Sequence, residues 1–232
     1  MTKSWLPLEA NPEVLTSYAQ RLGLPSDYAF HDVLAVEPWA LEMIPKPILA
    51  ILLLYPISDR SEKERSETIP EHSQGVYFMK QTVGNACGTI AVLHALSNLV
   101  GQTSTTLPLN EGSYIQRMML ETRDLTPAEK GQWLEKDPEI ETAHTRCESL
   151  GQSESPTSVG EIDTHFVAFV NRQGTILELD GRRDGPVNRG KIADNSDFGL
   201  AVLDVVQSVF VANNPEDIRF SILALCPSNP CS

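Results

Sequence analysis

The sequence lacks any apolar run long enough to span a bilayer. Its densest, Ile48 to Tyr55, has eight residues, against the roughly 20 that a membrane helix needs. Flanked by Pro47 and Pro56, it reads as a fully buried strand, and no membrane partner is expected. Met1 to Trp5 lack the apolar segment of a secretion signal. Cysteine is scarce, and Cys87, Cys147, Cys226 and Cys231 show neither paired nor metal-like spacing. A disulfide framework and a metal site are therefore not expected, and all four read as reduced thiols of a cytoplasmic chain, with the nucleus as the alternative compartment. Basic residues are also short: 18 Lys and Arg against 31 Asp and Glu leave a net charge of −13. Such a surface repels phosphate backbones, which argues against nucleic acid, and suits a basic partner.

What the 232 residues do contain is enough apolar material, 41%, for one substantial core, and their length predicts one domain. Asn11-Pro12 is a capping pair ahead of Val14, Leu15, Tyr18 and Leu22 at helical spacing, with Gly23 as the stop. Ser58 to Glu71 is charged and predicts an exposed helix or a loop. Cys87 to Val100 is apolar nearly all round, which predicts a central buried helix. Residues 113–144 are mostly helical, with Thr126-Pro127 and Glu129 as a second cap signature. Glu148 to Gly160 has a loop composition. Phe166 to Val170 and Thr175 to Leu179 predict two strands joined by the four-residue loop Asn171 to Gly174. A last helix over Phe198 to Ala212 and a last strand over Phe220 to Leu225 complete the set, and Pro227 to Ser232 read as a tail with no core role.

Chemistry concentrates at Cys87, which stands in the polar turn Gly84 to Thr89 just ahead of the apolar helix. A helix N-terminus offers a positive dipole end and unpaired N–H groups, which stabilise a thiolate and an oxyanion alike. A plain buried cysteine is the competing reading. A nucleophile needs a base, and His94 is about 10 Å further along the same helix, out of reach, so it reads as a core histidine. His31, His72 and His144 read as surface residues. His165 remains. If Val170 pairs with Thr175, His165 faces Asp180 directly, with Cβ atoms about 4.5–5.5 Å apart. A structural His–Asp pair is the alternative, but together with Cys87 a catalytic triad is favoured.

Gln81 to Ile90 (QTVGNACGTI) resembles the active-site signature of the short ubiquitin C-terminal hydrolases. The likeness runs nearly end to end, through Trp5 to Pro12, Glu178 to Gly181 and Ile218 to Ser221. It implies an α+β, papain-like fold with a central antiparallel sheet, flanking helices and a knotted backbone, in one catalytic domain over residues 1–226. It further implies a thiol-dependent deubiquitinase that needs no cofactor and cleaves small adducts or short peptides from the C-terminal glycine of ubiquitin through a thioester. Cys87 would be the nucleophile, His165 the base, Asp180 its orienting carboxylate and Gln81 an oxyanion donor. Pro7, Leu8, Glu9, Asn11, Asp32, Arg219 and Phe220 match positions that contact ubiquitin, and residues 147–160 match the loop crossing the active site. A NEDD8 hydrolase and a ubiquitin-binding module with secondary catalysis are the rival expectations. A monomer is expected.

Overall fold

The computed structural model describes residues 3–71, 75–100, 107–148, 150, 163–193 and 197–228. His72, Cys231 and most of the expected crossover segment lie outside the described residues.

Six strands form one antiparallel sheet. In chain order they are β1 (Tyr28–Val33), β2 (Ala50–Pro56), β3 (Thr164–Arg172), β4 (Thr175–Leu179), β5 (Val187–Lys191) and β6 (Ser221–Pro227). Their spatial order is β1-β6-β2-β3-β4-β5. The middle stretches of the central strands, Ile51–Leu54, Phe166–Val170 and Ile222–Cys226, are apolar at every position because both faces are covered. Leu52, Ala168 and Leu223 face one core, which holds α1 (Pro12–Leu22) and α4 (Cys87–Leu99). Ile51, Leu53, Phe169 and Ala224 face a second core with α2 (Pro38–Glu42) and α8 (Phe198–Val205). The last helix departs from regular α geometry: Val206–Val211 is a π-helical turn that carries Phe210 into the second core.

Local signals act as their chemistry dictates. Asn11 caps α1 by accepting from the N–H groups of Glu13 and Val14 at 2.9 and 3.2 Å. Every residue of α4 is buried, as its all-round apolar pattern requires. The helical region divides into α5 (Tyr114–Glu121), α6 (Pro127–Lys136) and α7 (Pro138–Glu148), and Thr126 with Glu129 forms a capping box.

Three expectations are corrected. The loop between β3 and β4 is a two-residue turn: Arg172 pairs with Thr175, and Gln173 and Gly174 both take positive φ, 53° and 77°. The charged segment 58–71 contains a helix, one of the two forms expected, as α3 (Asp59–Glu67), but it is not wholly exposed: Glu62 and Glu64 enter the partly buried ion pairs described below. Pro227 and Ser228 are not a free tail. Pro227 pairs with Tyr28, and the Ser228 N–H donates to the Asp27 carbonyl at 2.7 Å, so the end of β6 holds β1.

Candidate active site

Cys87 is the first residue of α4, and Ala86 before it offers no side-chain cap. The N–H groups of the first turn are therefore left to other acceptors. The thiol is buried, which by itself raises its pKa. A hydrogen bond to His165, the charge of that imidazole and the N–H groups of Phe166 and Gly88 together outweigh burial and bring it down.

His165 sits near the start of β3, opposite Tyr55 of β2, whose ring meets it edge-on at 6.0 Å. Its Nε2 lies 2.7 Å from Asp180 Oδ1, which leaves Nδ1 for the sulfur. Burial disfavours the imidazolium, but the charge and hydrogen bond of Asp180, with those of Cys87, raise the His165 pKa to about 9. Burial likewise pushes Asp180 upward, yet His165, the Arg182 N–H and the Arg183 guanidinium hold it at about 2. The three groups thus favour a thiolate, an imidazolium and a carboxylate in one buried row.

The corrected hairpin register explains how His165 and Asp180 meet. The two-residue turn moves the pairing by two positions, an even number, so every side chain keeps its face. Asp180, just beyond β4, is a diagonal neighbour of His165 rather than its direct opposite, still within reach for two such side chains.

Gln81 approaches from the loop before α4. Its N–H donates to the Gly181 carbonyl at 2.9 Å, which ties it to the residue after Asp180. Its side-chain Nε2 donates to the Val83 carbonyl at 3.1 Å, fixing which end of the amide is the donor. Two glycines allow this segment its place. A Cβ on Gly181 would come within 3.0 Å of the Gln81 Cβ and 2.8 Å of Ile90. A Cβ on Gly131 of α6 would lie 2.3 Å from the Lys80 carbonyl. Gly131 escaped sequence reasoning, since a lone glycine in a helical pattern carries no label for the contact it permits.

The segment before α1 runs beside the same turn. Trp5 donates to Gly84, Gly84 donates to Lys3, and Asn85, at φ 59°, reaches the Trp5 carbonyl through its side chain. Leu8 is buried against Gly88, and Asn11, half-buried, uses its side-chain oxygen on the helix cap. Pro7 and Glu9 are half-buried. Asp32 near the end of β1, and Arg219 with Phe220 ahead of β6, lie at the end of the sheet where β3 begins. Arg219 is held by Asp163, at 2.7 and 2.8 Å, and by Asp217.

The other histidines divide. His94 is a core residue as expected: its Nε2 accepts from the Met79 N–H at 3.1 Å, and burial lowers its pKa to about 4. His144, expected at the surface, is buried instead. Thr89 Oγ1 lies 2.8 Å from its Nδ1, and its Nε2 donates to the Leu6 carbonyl at 2.6 Å. Ile140, His144 and Cys147 share the one buried stripe of an otherwise polar α7. His31 is half-buried in β1, with Nε2 3.3 Å from the Pro227 carbonyl. Cys147 and Cys226 are buried free thiols, their pKa values raised by burial. Among the described residues, no three His, Cys, Asp or Glu side chains are grouped to hold a metal, and no helix is long and apolar enough to cross a membrane.

Comparison with known proteins accords with this geometry. The chain is 41% identical over 230 residues to ubiquitin carboxyl-terminal hydrolase 3 of Arabidopsis thaliana, covering 97% of this chain and 94% of that one. It is 37% identical over 225 residues to the isozyme L1 enzyme of Monodelphis domestica, covering 95% and 97%. Among solved structures, the catalytic domain of Trichinella spiralis UCH37, crystallised with ubiquitin vinyl methyl ester, superposes with a TM-score of 0.77 at 22% identity, covering 97% and 96% of the two chains, a likeness of fold. The family model for ubiquitin carboxyl-terminal hydrolases, family 1, matches residues 5–211, and the chain belongs to that family of cysteine-type deubiquitinases.

Proposed function

We propose that this chain removes small adducts or short peptides from the C-terminal glycine of ubiquitin, with Cys87 as nucleophile. The carrying observation is the row Cys87–His165–Asp180, in which the 2.7 Å contact from Nε2 to Asp180 turns Nδ1 toward the thiol. The thiolate attacks the glycine carbonyl. The oxyanion is met by N–H groups at the start of α4 and by the Gln81 amide. His165 then delivers its proton to the leaving amine or thiol, and the acyl group remains on sulfur as a thioester. Water, deprotonated by the same imidazole, hydrolyses it. Asp180 stays ionised throughout and steadies the imidazolium. Pro7, Glu9, Asp32, Arg219 and Phe220 supply the rim that receives ubiquitin, and the acidic surface suits a basic tail.

The test is reaction with ubiquitin bearing a C-terminal thiol-reactive warhead, followed by mass mapping. A single adduct on Cys87, absent in His165→Ala, is expected. Ubiquitin bound without an adduct on Cys87 would overturn the chemistry and leave a binding module. The same probe built on NEDD8 should react more slowly, and a faster reaction would reassign the substrate.

A further inference from the structure

The two oxygens of the Asp180 carboxylate are treated unequally. Oδ1 takes the His165 contact at 2.7 Å and the Arg182 N–H at 2.8 Å. Oδ2 is buried and accepts no hydrogen bond. What faces it is Arg183 Nε, 3.7 Å away, itself a buried donor without a hydrogen-bond partner. Nε also stands 3.3 Å from Glu178 Oε1. One buried guanidinium thus serves two buried carboxylates two residues apart on one strand face.

The rest of Arg183 is fastened elsewhere. Nη1 donates to the Arg65 carbonyl at 2.8 Å, and Nη2 to Glu64 Oε2 at 3.0 Å. Both belong to α3, so the fork grips that helix while Nε points inward. Around it, Arg189 bonds Glu178 at 2.6 Å and Glu64 at 2.7 Å. Glu62 takes both Arg65 and Arg182. From the other strands, His165 and Tyr55 face the same space, and Cys87 faces it from α4. With these neighbours the cluster is close to balanced, and among the described residues Arg183 is the cation within 4 Å of the free oxygen of Asp180.

We propose that Arg183 is a positioning residue for this active site: it holds the second oxygen of Asp180 by charge and anchors that hold on α3. This rests on Asp180 orienting His165, as proposed above. Without Arg183, Oδ2 would lose the guanidinium that faces it while a second buried carboxylate stays beside it, and the carboxylate would turn or draw in water. The imidazole bonded to it would lose its alignment with the sulfur. Buried ion clusters also serve purely as structure, and the experiment must separate the two roles.

The full chain carrying Arg183→Met is compared with the parent in two measurements. The first is the pH dependence of Cys87 alkylation by iodoacetamide, followed by mass mapping, which needs no ubiquitin. Loss of a nearby positive charge makes each neighbouring proton harder to remove, so the acid and alkaline limbs should both move up by about half a unit to one unit. The second is turnover of a ubiquitin C-terminal amide, where kcat should fall about tenfold to a hundredfold with KM unchanged. Arg183→Lys, which keeps the charge but not the fork, should return the limbs to their parental positions and leave kcat several-fold low. Unmoved limbs in a folded Arg183→Met overturn the proposal. If that variant does not fold, a parental kcat in Arg183→Lys overturns it. Asp180→Asn is run alongside: parental turnover there defeats the triad reading itself, whereas a slow Asp180→Asn beside a parental Arg183→Met defeats Arg183 alone.

Discussion

Three histidines are buried around α4, in two regions with opposite electrostatics. His165, at the sheet end, touches a carboxylate and a thiol, and its pKa is raised to about 9. His94, within the helix, and His144, packed against it from α7, have their pKa values lowered to about 4 by burial. Their hydrogen-bond partners are neutral, and Glu148, 3.7 Å from His144 Nε2, does not offset the burial. The Met79 N–H donates to His94. Tyr18, Thr89 and His144 form a directed chain that ends on the Leu6 carbonyl. Burial is common to all three, so the partner decides the charge. A reactive histidine in this fold is one whose desolvation is outbid by an anion, and the other two are hydrogen-bonded spacers in the core.

The strongest way to break this contrast is Asp180→Asn, which gives His165 a neutral partner. Its pKa should drop below the ordinary histidine value, as seen by NMR titration, and turnover should fall about 10³–10⁴-fold. A high His165 pKa in that variant would mean that Asp180 is not what charges it. Next comes placement without any change of charge. Gly131→Ala or Gly181→Ala pushes the Gln81 segment aside and should lower kcat about a hundredfold, while the alkylation profile of Cys87 stays parental. A shifted profile would show that the clamp and the ion pair are not separate.

The two regions should also respond oppositely to pH. The unfolded chain binds protons at His94 and His144 below about pH 6.5, whereas the folded chain resists until about pH 4. Stability is therefore lost as pH falls through that window, by about 1–2 kcal/mol per histidine between pH 6.5 and 5. His165, with its raised pKa, stabilises below the unfolded value and loses that contribution as pH climbs through about 9. Urea unfolding at pH 5 and 7 should show the acid loss, and His144→Gln should reduce it. An unchanged slope would place the acid sensitivity elsewhere. The smallest effect on activity is expected from Thr89→Val, two residues beyond Cys87. It leaves Tyr18 and His144 each short of a partner, which costs about 1–3 kcal/mol of stability, while kcat stays within about twofold. A larger loss of kcat would join the neutral network to the chemistry.

Much of the fold was legible because it rests on local signals. The α1 cap, the all-round apolar α4 and the capping box of α6 all have short-range causes. So does the proximity of His165 and Asp180, since a slip of two in register leaves faces unchanged. What escaped depends on partners distant in sequence. His144 looks exposed in a polar helix, and it is buried by partners distant in sequence: α1, Trp5 and Thr89. The charges of α3 look solvated until Arg182, Arg183 and Arg189 arrive from more than a hundred residues away. Glu178 was the available hint: a lone carboxylate in the apolar run of β4 had to find a buried cation. Strands β1 and β5 were missed because edge strands need only one covered side, and their sequences carry polar residues where they meet no neighbour.

The tight turn that joins β3 to β4 also has a practical use. Gln173 and Gly174 lie eight and nine residues beyond His165 along β3 and its turn, about 25 Å from the chemistry at the usual strand rise. Gln173 already carries an exposed side chain there, whereas Gly174 at φ 77° is left as glycine. Gln173 is thus a site for a dye, an affinity handle or a surface tether, where a reporter could follow substrate capture at a distance from the proposed active-site row.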